Sequence, residues 1–380
     1  MQAFKKLRVL EIAEGIAGPV AGLQFADLGT EVIKIEPPDG DRAREWGPPM
    51  LGDDAAIFVH LNRGKRSVML DCAAPQGRAR LDTLLATADV AILHMDPDDR
   101  AALGLDWSEV LARHPRLVAC EIDYFGPAGS FSTLAGSEMT VQALSGYTRY
   151  LGTPRGPKMR VGMEIASMAA GFHAFQACAA ALIHLGQSGA GQLVRVSALK
   201  ALLSLKSILF NAQDRSEKWN GFHMNGPWWP QDMGLPTLDG QITMDFRDRR
   251  DAWEKFVRTI GLEHLLDDPD YQDWRNTFSI GDNWPKFDGP YKEWSRTQTT
   301  EAASAAINSL DGISVKFQDY AELLAHPQVR ELDPLVAVDD PRAPQQLGTP
   351  FHFAGEPNFA ASTPAPRLGQ DNEALLGARA

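Results

Sequence analysis

The chain of 380 residues is too long for one small core and suits two domains. Its 44% apolar and 23% charged residues are ordinary for a globular protein, and a net charge of -12 repels phosphate, which argues against a nucleic-acid partner. Cys72, Cys120 and Cys178 are scattered inside apolar runs, which points away from a disulfide framework or metal site and toward a reduced, cytoplasmic setting.

Short apolar runs alternate with helical patterns from the start. Residues 7–12 read as a strand, 17–28 as a helix and 31–36 as a second strand. A third strand at 66–71 leads into a helix over 75–87, and strands at 89–95 and 117–124 continue the series. Such alternation, with strands apolar on both faces, predicts a parallel sheet covered on both sides, a Rossmann-like α/β unit. The turn over residues 13–19 lacks the G-x-G-x-x-G spacing that brings a backbone close to a pyrophosphate, so a dinucleotide dehydrogenase is a poor fit. Residues 163–185 form the most apolar helical stretch, but Glu164, His173, Gln176 and His184 interrupt it. That pattern predicts a buried helix and no membrane partner. One more strand follows at 193–197.

Beyond about residue 215 the character changes: Trp219, Trp228, Trp229, Trp253, Trp274, Trp284 and Trp294 fall among amphipathic helices and a strand signal at 241–246. This predicts a smaller α+β domain over 225–325. The large domain takes 1–224 and 326–380, the proline-rich tail returning to it.

These elements carry ordered matches along nearly the whole chain. They are Leu10-Glu11-Ile12-Ala13, Ala17-Gly18-Pro19, Ala26-Asp27-Leu28-Gly29, Val32-Ile33-Lys34-Ile35-Glu36-Pro37-Pro38, Gly40-Asp41 and Trp46-Gly47-Pro48-Pro49. Then come Leu61-Asn62-Arg63-Gly64-Lys65-Arg66-Ser67, Leu70-Asp71, Ala88-Asp89-Val90, Val141-Gln142-Ala143-Leu144-Ser145-Gly146, Gly189-Ala190-Gly191-Gln192 and Pro366-Arg367-Leu368-Gly369. In this order and spacing they resemble the family III CoA-transferases, a group that includes formyl-CoA and carnitine CoA-transferases and the α-methylacyl-CoA racemases. The resemblance implies a large domain built from both chain ends and dimers of interlocked chains. It also implies a reaction in which an aspartate attacks an acyl-CoA thioester, forms a mixed anhydride and then an aspartyl-CoA thioester.

The family's aspartate ends a pattern like V-G-x-x-I-A-D, and here the stretch is Val161-Gly162-Met163-Glu164-Ile165-Ala166-Ser167. A hydroxyl forms no acid anhydride, so Ser167 cannot take over that exchange. Glu164, which a helix would place on the face of Ser167, and Glu138, in Gly136-Ser137-Glu138, are the fallback carboxylates. Racemases use a histidine where Ser137 stands, so racemase chemistry loses both proton-transfer groups.

The family's CoA-binding positions read N-[FY]-x-P-G and then an arginine before a hydrophobic-Gly pair. Here His94, Asp98 and Ala102 occupy the asparagine, glycine and arginine positions, and Asp96 and Asp99 add negative charge. Lys65 and Arg66 match the family, and Arg100 stands two positions out of register as a substitute cation; the alternative for Lys65 and Arg66 is a solvated strand edge. In the flap region Trp228 and Trp229 make a stiff loop, either lining a pocket for an aromatic acid or packing at an interface.

These positions point to a catalytically silent subunit of a hetero-oligomeric CoA-transferase. Its paralogous partner would bind the CoA or acyl-CoA substrate and move CoA to a carboxylic acid, an aromatic one in benzylsuccinate-type enzymes with paired subunits. The alternatives are an active transferase or CoA-dependent lyase using Glu164 or Glu138, and a homodimeric ligand-binding protein. Neither a metal nor a tightly bound cofactor is expected.

Overall fold

The computed structural model describes residues 4–150, 159–205, 234–246, 249–269, 284–354, 359–361 and 363–377. The chain divides into two compact units, one of residues 1–149, 160–206 and 331–380, the other of residues 150–159 and 207–330.

The larger unit is built on six parallel strands: β1 (Arg8–Ala13), β2 (Glu31–Glu36), β3 (Lys65–Met69), β4 (Val90–His94), β5 (Val118–Asp123) and β6 (Leu193–Ser197). They lie in the order β3-β2-β1-β4-β5-β6, the doubly wound arrangement that reverses direction between β1 and β4. Helices cover both faces, so strands such as Val90–His94 are buried at every residue.

Helix Ile165–Ser188 is, among the described residues, the one helix long and apolar enough to cross a bilayer. Here its alanine-rich face is buried, and it packs on helix Ala17–Asp27. Gly171 sets the closeness of that packing, because a Cβ there would lie 2.6 Å from both the Ala17 carbonyl oxygen and the Val20 side chain.

The sheet is not wholly apolar. Glu11 on β1 stands opposite Lys34 on β2, and Lys34 stands opposite Ser67 on β3. Lys34 Nζ reaches Glu11 Oε1 at 3.0 Å, Asp41 Oδ2 at 2.7 Å and the Ala13 carbonyl at 2.7 Å. Lys65 Nζ donates to Glu11 Oε2 at 2.6 Å, the Pro19 carbonyl at 2.9 Å and Asn62 Oδ1 at 2.9 Å. Glu36 takes two bonds from Arg44, at 2.8 and 2.9 Å, and one from the Ser67 hydroxyl at 2.6 Å. Charges this deep persist only when each is met by an opposite charge or a hydrogen bond, and these are. Gly22 completes the enclosure: a Cβ there would fall 1.9 Å from Glu11 Oε2.

Burial works against the Lys34 charge, but Asp41, Glu11 and Glu36 outweigh it and hold the ammonium well above its usual range. For Lys65 the attraction of Glu11 does not outweigh burial. Burial, aided by repulsion from Lys34, brings this ammonium down to about 8.

The C-terminal segment closes the edge of β3. Asp371 Oδ1 accepts from Arg66 Nε at 2.9 Å and its Oδ2 from the Ser67 amide at 3.0 Å, while Asn372 Oδ1 accepts from the Met69 amide at 2.8 Å. The Gly64 amide donates to the Thr363 carbonyl at 2.9 Å, and Arg44 donates to the Pro366 carbonyl at 3.1 Å.

The smaller unit has its own apolar core. Trp253, Phe256, Tyr291, Ile242, Phe246 and Ile307 are buried together, drawn from helices Arg250–Thr259, Trp284–Ser295 and Thr300–Asn308 and a short antiparallel pair, Leu235–Pro236 with Gln241–Ile242. Trp253 Nε1 donates to the Tyr291 hydroxyl at 2.8 Å, which satisfies both buried polar atoms. Trp253 is therefore a core residue.

Candidate functional site

A cavity of about 540 Å³ opens at the carboxyl ends of β1, β4 and β5, beside the reversal in strand order where α/β sheets bind ligands. Glu14, Gly15 and Ile16 follow β1, His94 closes β4, Met95 and Asp96 come next, and Tyr124 follows β5. Trp46, Pro48, Pro49 and Ile57 form another wall, and the peptide bonds preceding both prolines are cis. The turn at Gly15 is fixed by Asp41 Oδ1, which accepts its amide at 3.0 Å and needs the positive φ of +78° that glycine tolerates.

Ser167 lies in the first turn of helix Ile165–Ser188, lines this cavity and is 7% exposed. Its hydroxyl donates to Glu138 Oε2 at 2.8 Å. Glu138 starts helix Glu138–Leu144, whose N-cap Ser137 forms a capping box with Thr140. The Glu138 carboxylate takes four bonds, two on each oxygen. Oε1 accepts from Gln142 Nε2 and the Ala166 amide, both at 2.8 Å; Oε2 accepts from the Ser167 amide at 2.9 Å and from the Ser167 hydroxyl. It thus caps the long helix, whose N-terminal dipole favours a negative charge.

Glu164 also lines the cavity but occupies the N-cap position, outside the helix, where it pairs with Arg160 at 3.0 Å. The carboxylate coupled to Ser167 is Glu138, not Glu164. Three-residue spacing misleads here because the helix begins only at Ile165.

His94 is buried, and burial first, with the Arg42 charge second among the lowering causes, holds its ring below the usual imidazole range. Its Nδ1 lies 3.1 Å from the Ile122 carbonyl, and its ring tilts against Tyr124 with centroids 5.3 Å apart. Arg42 is the one Lys or Arg among the described lining residues, and it is already engaged by Glu14 at 3.0 Å and Asp96 at 3.4 Å.

A second cavity of about 400 Å³ lies at the ends of β1, β2 and β3 and shares Glu14, Arg42 and Met95 with the first. Asp39, Asp71 and Asp99 line it, with Ala102 presenting a methyl group where the family's arginine is expected.

The three cations expected near a CoA are each engaged within the fold. Lys65 is neither a phosphate ligand nor a solvated edge, since all three of its donors are consumed inside the sheet. Arg66 is held between Glu31 at 2.7 Å and Asp371 at 2.9 Å. Arg100 does not replace the charge missing at Ala102, because residues two apart on a helix point to different sides. It pairs with Glu121 at 2.7 Å and lines a separate cavity with Arg195 and Asp98. The acids are also dispersed: Asp96, Asp99 and Asp98 fall in three different cavities. Trp228 and Trp229 lie outside the described residues. No group of His, Cys, Asp and Glu suited to a metal ion occurs among the described residues.

The sequence pattern of CoA-transferase family III matches residues 4–372. The chain belongs to that family. A succinate–glutarate CoA-transferase of Agrobacterium fabrum is 30% identical to it, over 97% of this chain and 94% of its own length. Subunit BbsE of the succinyl-CoA:(R)-benzylsuccinate CoA-transferase of Thauera aromatica is 28% identical over 99% of this chain and 94% of its own. Among solved structures, a CAIB/BAIF family protein from Brucella suis superposes with a TM-score of 0.83 at 25% identity, covering 98% of both chains. Family III membership places CoA thioesters as the substrates of the reaction class.

Proposed function

We propose that this chain is the non-catalytic subunit of a cytoplasmic, hetero-oligomeric family III CoA-transferase. A paralogous subunit carries the acyl-accepting aspartate and binds the CoA, and the chains associate as interlocked dimers. The observation that carries this reading is the state of Ser167, whose hydroxyl is committed to a carboxylate with no acceptor site left over. The transfer needs a leaving group about as good as the incoming carboxylate. An aspartyl anhydride supplies one; a seryl ester would have to expel an alkoxide, a far poorer leaving group, so the exchange stalls.

The electrostatics agree. A multiply anionic CoA entering either cavity meets Glu14, Asp96, Asp39, Asp71 and Asp99, with Arg42 already shared between two carboxylates. Glu138 as a substitute nucleophile is disfavoured by its four hydrogen bonds, and Glu164 by its ion pair with Arg160. The likeness to subunit BbsE and to a succinate–glutarate enzyme supports a dicarboxylic acid, aromatic or aliphatic, as the acid handled by the complex.

The test is co-expression with the paralogous reading frame that retains V-G-x-x-I-A-D. The two chains are expected to co-purify, with turnover of succinyl-CoA and glutarate or benzylsuccinate only in the complex. Hydroxylamine should trap an acyl group on the paralogue alone. Turnover by this chain by itself would overturn the reading.

A further inference from the structure

His94, on the wall of the first cavity, carries a polar atom that neither the fold nor the silent-subunit reading uses. His94 is 5% exposed, and a carbonyl can only accept, so the contact with Ile122 makes Nδ1 the nitrogen that carries the proton. Nε2 is left with a lone pair and no hydrogen-bond partner among the described residues. A neutral ring fixed in this tautomer is a built acceptor on the cavity wall, and Tyr124 holds it at a tilt.

The surroundings select the ligand. An anion entering the cavity meets an Arg42 whose charge is already shared by Glu14 and Asp96. A cation meets the remaining lone pairs of those carboxylates, and the aromatic rings of Trp46 and Tyr124 line the same cavity. Apolar matter attached to it finds Ile16, Ile57 and the Pro48-Pro49 wall.

We propose that this cavity binds a small protonated amine, which donates an N–H to His94 Nε2 while Glu14 and Asp96 face its charge. This rests on the reading that the cavity performs no acyl transfer.

Benzylamine, benzyl alcohol and benzoate share one ring and differ in charge, so calorimetry on the full chain separates the possibilities. Benzylamine is expected to bind about tenfold or more tighter than benzyl alcohol, and benzoate weakest of the three. Nitrogen-15 spectra of the wild-type chain, with the His94 signals assigned by their loss in His94→Asn, should show the Nε2 resonance shifting with benzylamine and not with benzoate. His94→Asn should lower the preference for the amine. Benzoate binding as tightly as benzylamine, or an unmoved Nε2 resonance, overturns the proposal. Succinyl-CoA turnover by the chain alone overturns the silent-subunit reading whatever the amine does. A silent chain that ignores benzylamine overturns only the proposal made here.

Discussion

The ionic network inside the sheet and the cavity at the strand ends are neighbours, joined through Asp41, which pairs with Lys34 and also fixes the Gly15 amide. In the network, Glu11, Lys34, Asp41, Lys65, Glu36 and Arg44 answer one another. In the cavity, acids outnumber the arginine among the described lining residues, an imidazole nitrogen has no partner among the described residues, and the Ser167 hydroxyl is tied to Glu138. Many of the residues that carry the family resemblance, among them Glu11, Asp27, Lys34, Glu36, Asp41, Asn62, Arg63, Lys65 and Ser67, are consumed in buried bonds of this kind. Resemblance of this sort certifies the scaffold. It says little about the reaction, which depends on a few cavity positions that can change without disturbing the network.

The sharpest way to break that comparison is to remove one member of the network. Lys34→Met leaves Asp41, and Glu11→Ala leaves Lys65, buried without its counter-charge, and each should cost about 3–5 kcal/mol in denaturant unfolding. A loss no larger than that of a cavity substitution would mean that the network is not the scaffold's anchor.

Acid probes the same set more gently. Burial opposes ionisation of Glu36 and Asp41, but Arg44 and Lys34 outweigh it, and both carboxyls titrate below their ordinary values. Their stabilisation is therefore complete above the unfolded carboxylate range, about pH 4.5, and disappears as pH falls through the folded values. Unfolding midpoints recorded from pH 6 down should decline first in this range, and Glu36→Gln should flatten the decline.

Much of this was open to the sequence and some was not. The strand expected at 89–95 is found at Val90–His94, because a doubly buried strand is a nearly continuous apolar run, and the one expected at 66–71 is found at Lys65–Met69 although it starts on polar residues. The role of Lys65 was hidden, since its partner Glu11 lies 54 positions away and nothing local announces a buried charge. Arg100 offered a better clue: two-residue spacing on a helix already argues that it and Ala102 face apart. The tie between Ser167 and Glu138 spans 29 positions, and only the Ser137 cap hinted that a helix would begin there and aim Glu138 at its neighbour.

Cavity substitutions should matter less to stability. Glu138→Ala strips the cap from helix Ile165–Ser188 and should cost about 2 kcal/mol by thermal unfolding. Ser167→Ala removes one hydroxyl bond, about 1 kcal/mol or less, and should leave turnover of the assembled complex unchanged. A hundredfold fall in that turnover would show the cavity at work and erase the distinction drawn between the two regions.

The clasp on β3 has a consequence for how the protein is made. The amides of Ser67 and Met69 find their partners in Asp371 and Asn372, some three hundred positions later in the chain. While the ribosome is still adding those residues, the edge of a nearly complete sheet stands open to strands of other chains. Release from that hazard comes only once Asp371 and Asn372 have been made, so anything that slows or truncates synthesis near residue 371 should show up as aggregation rather than as a subtly weaker native protein.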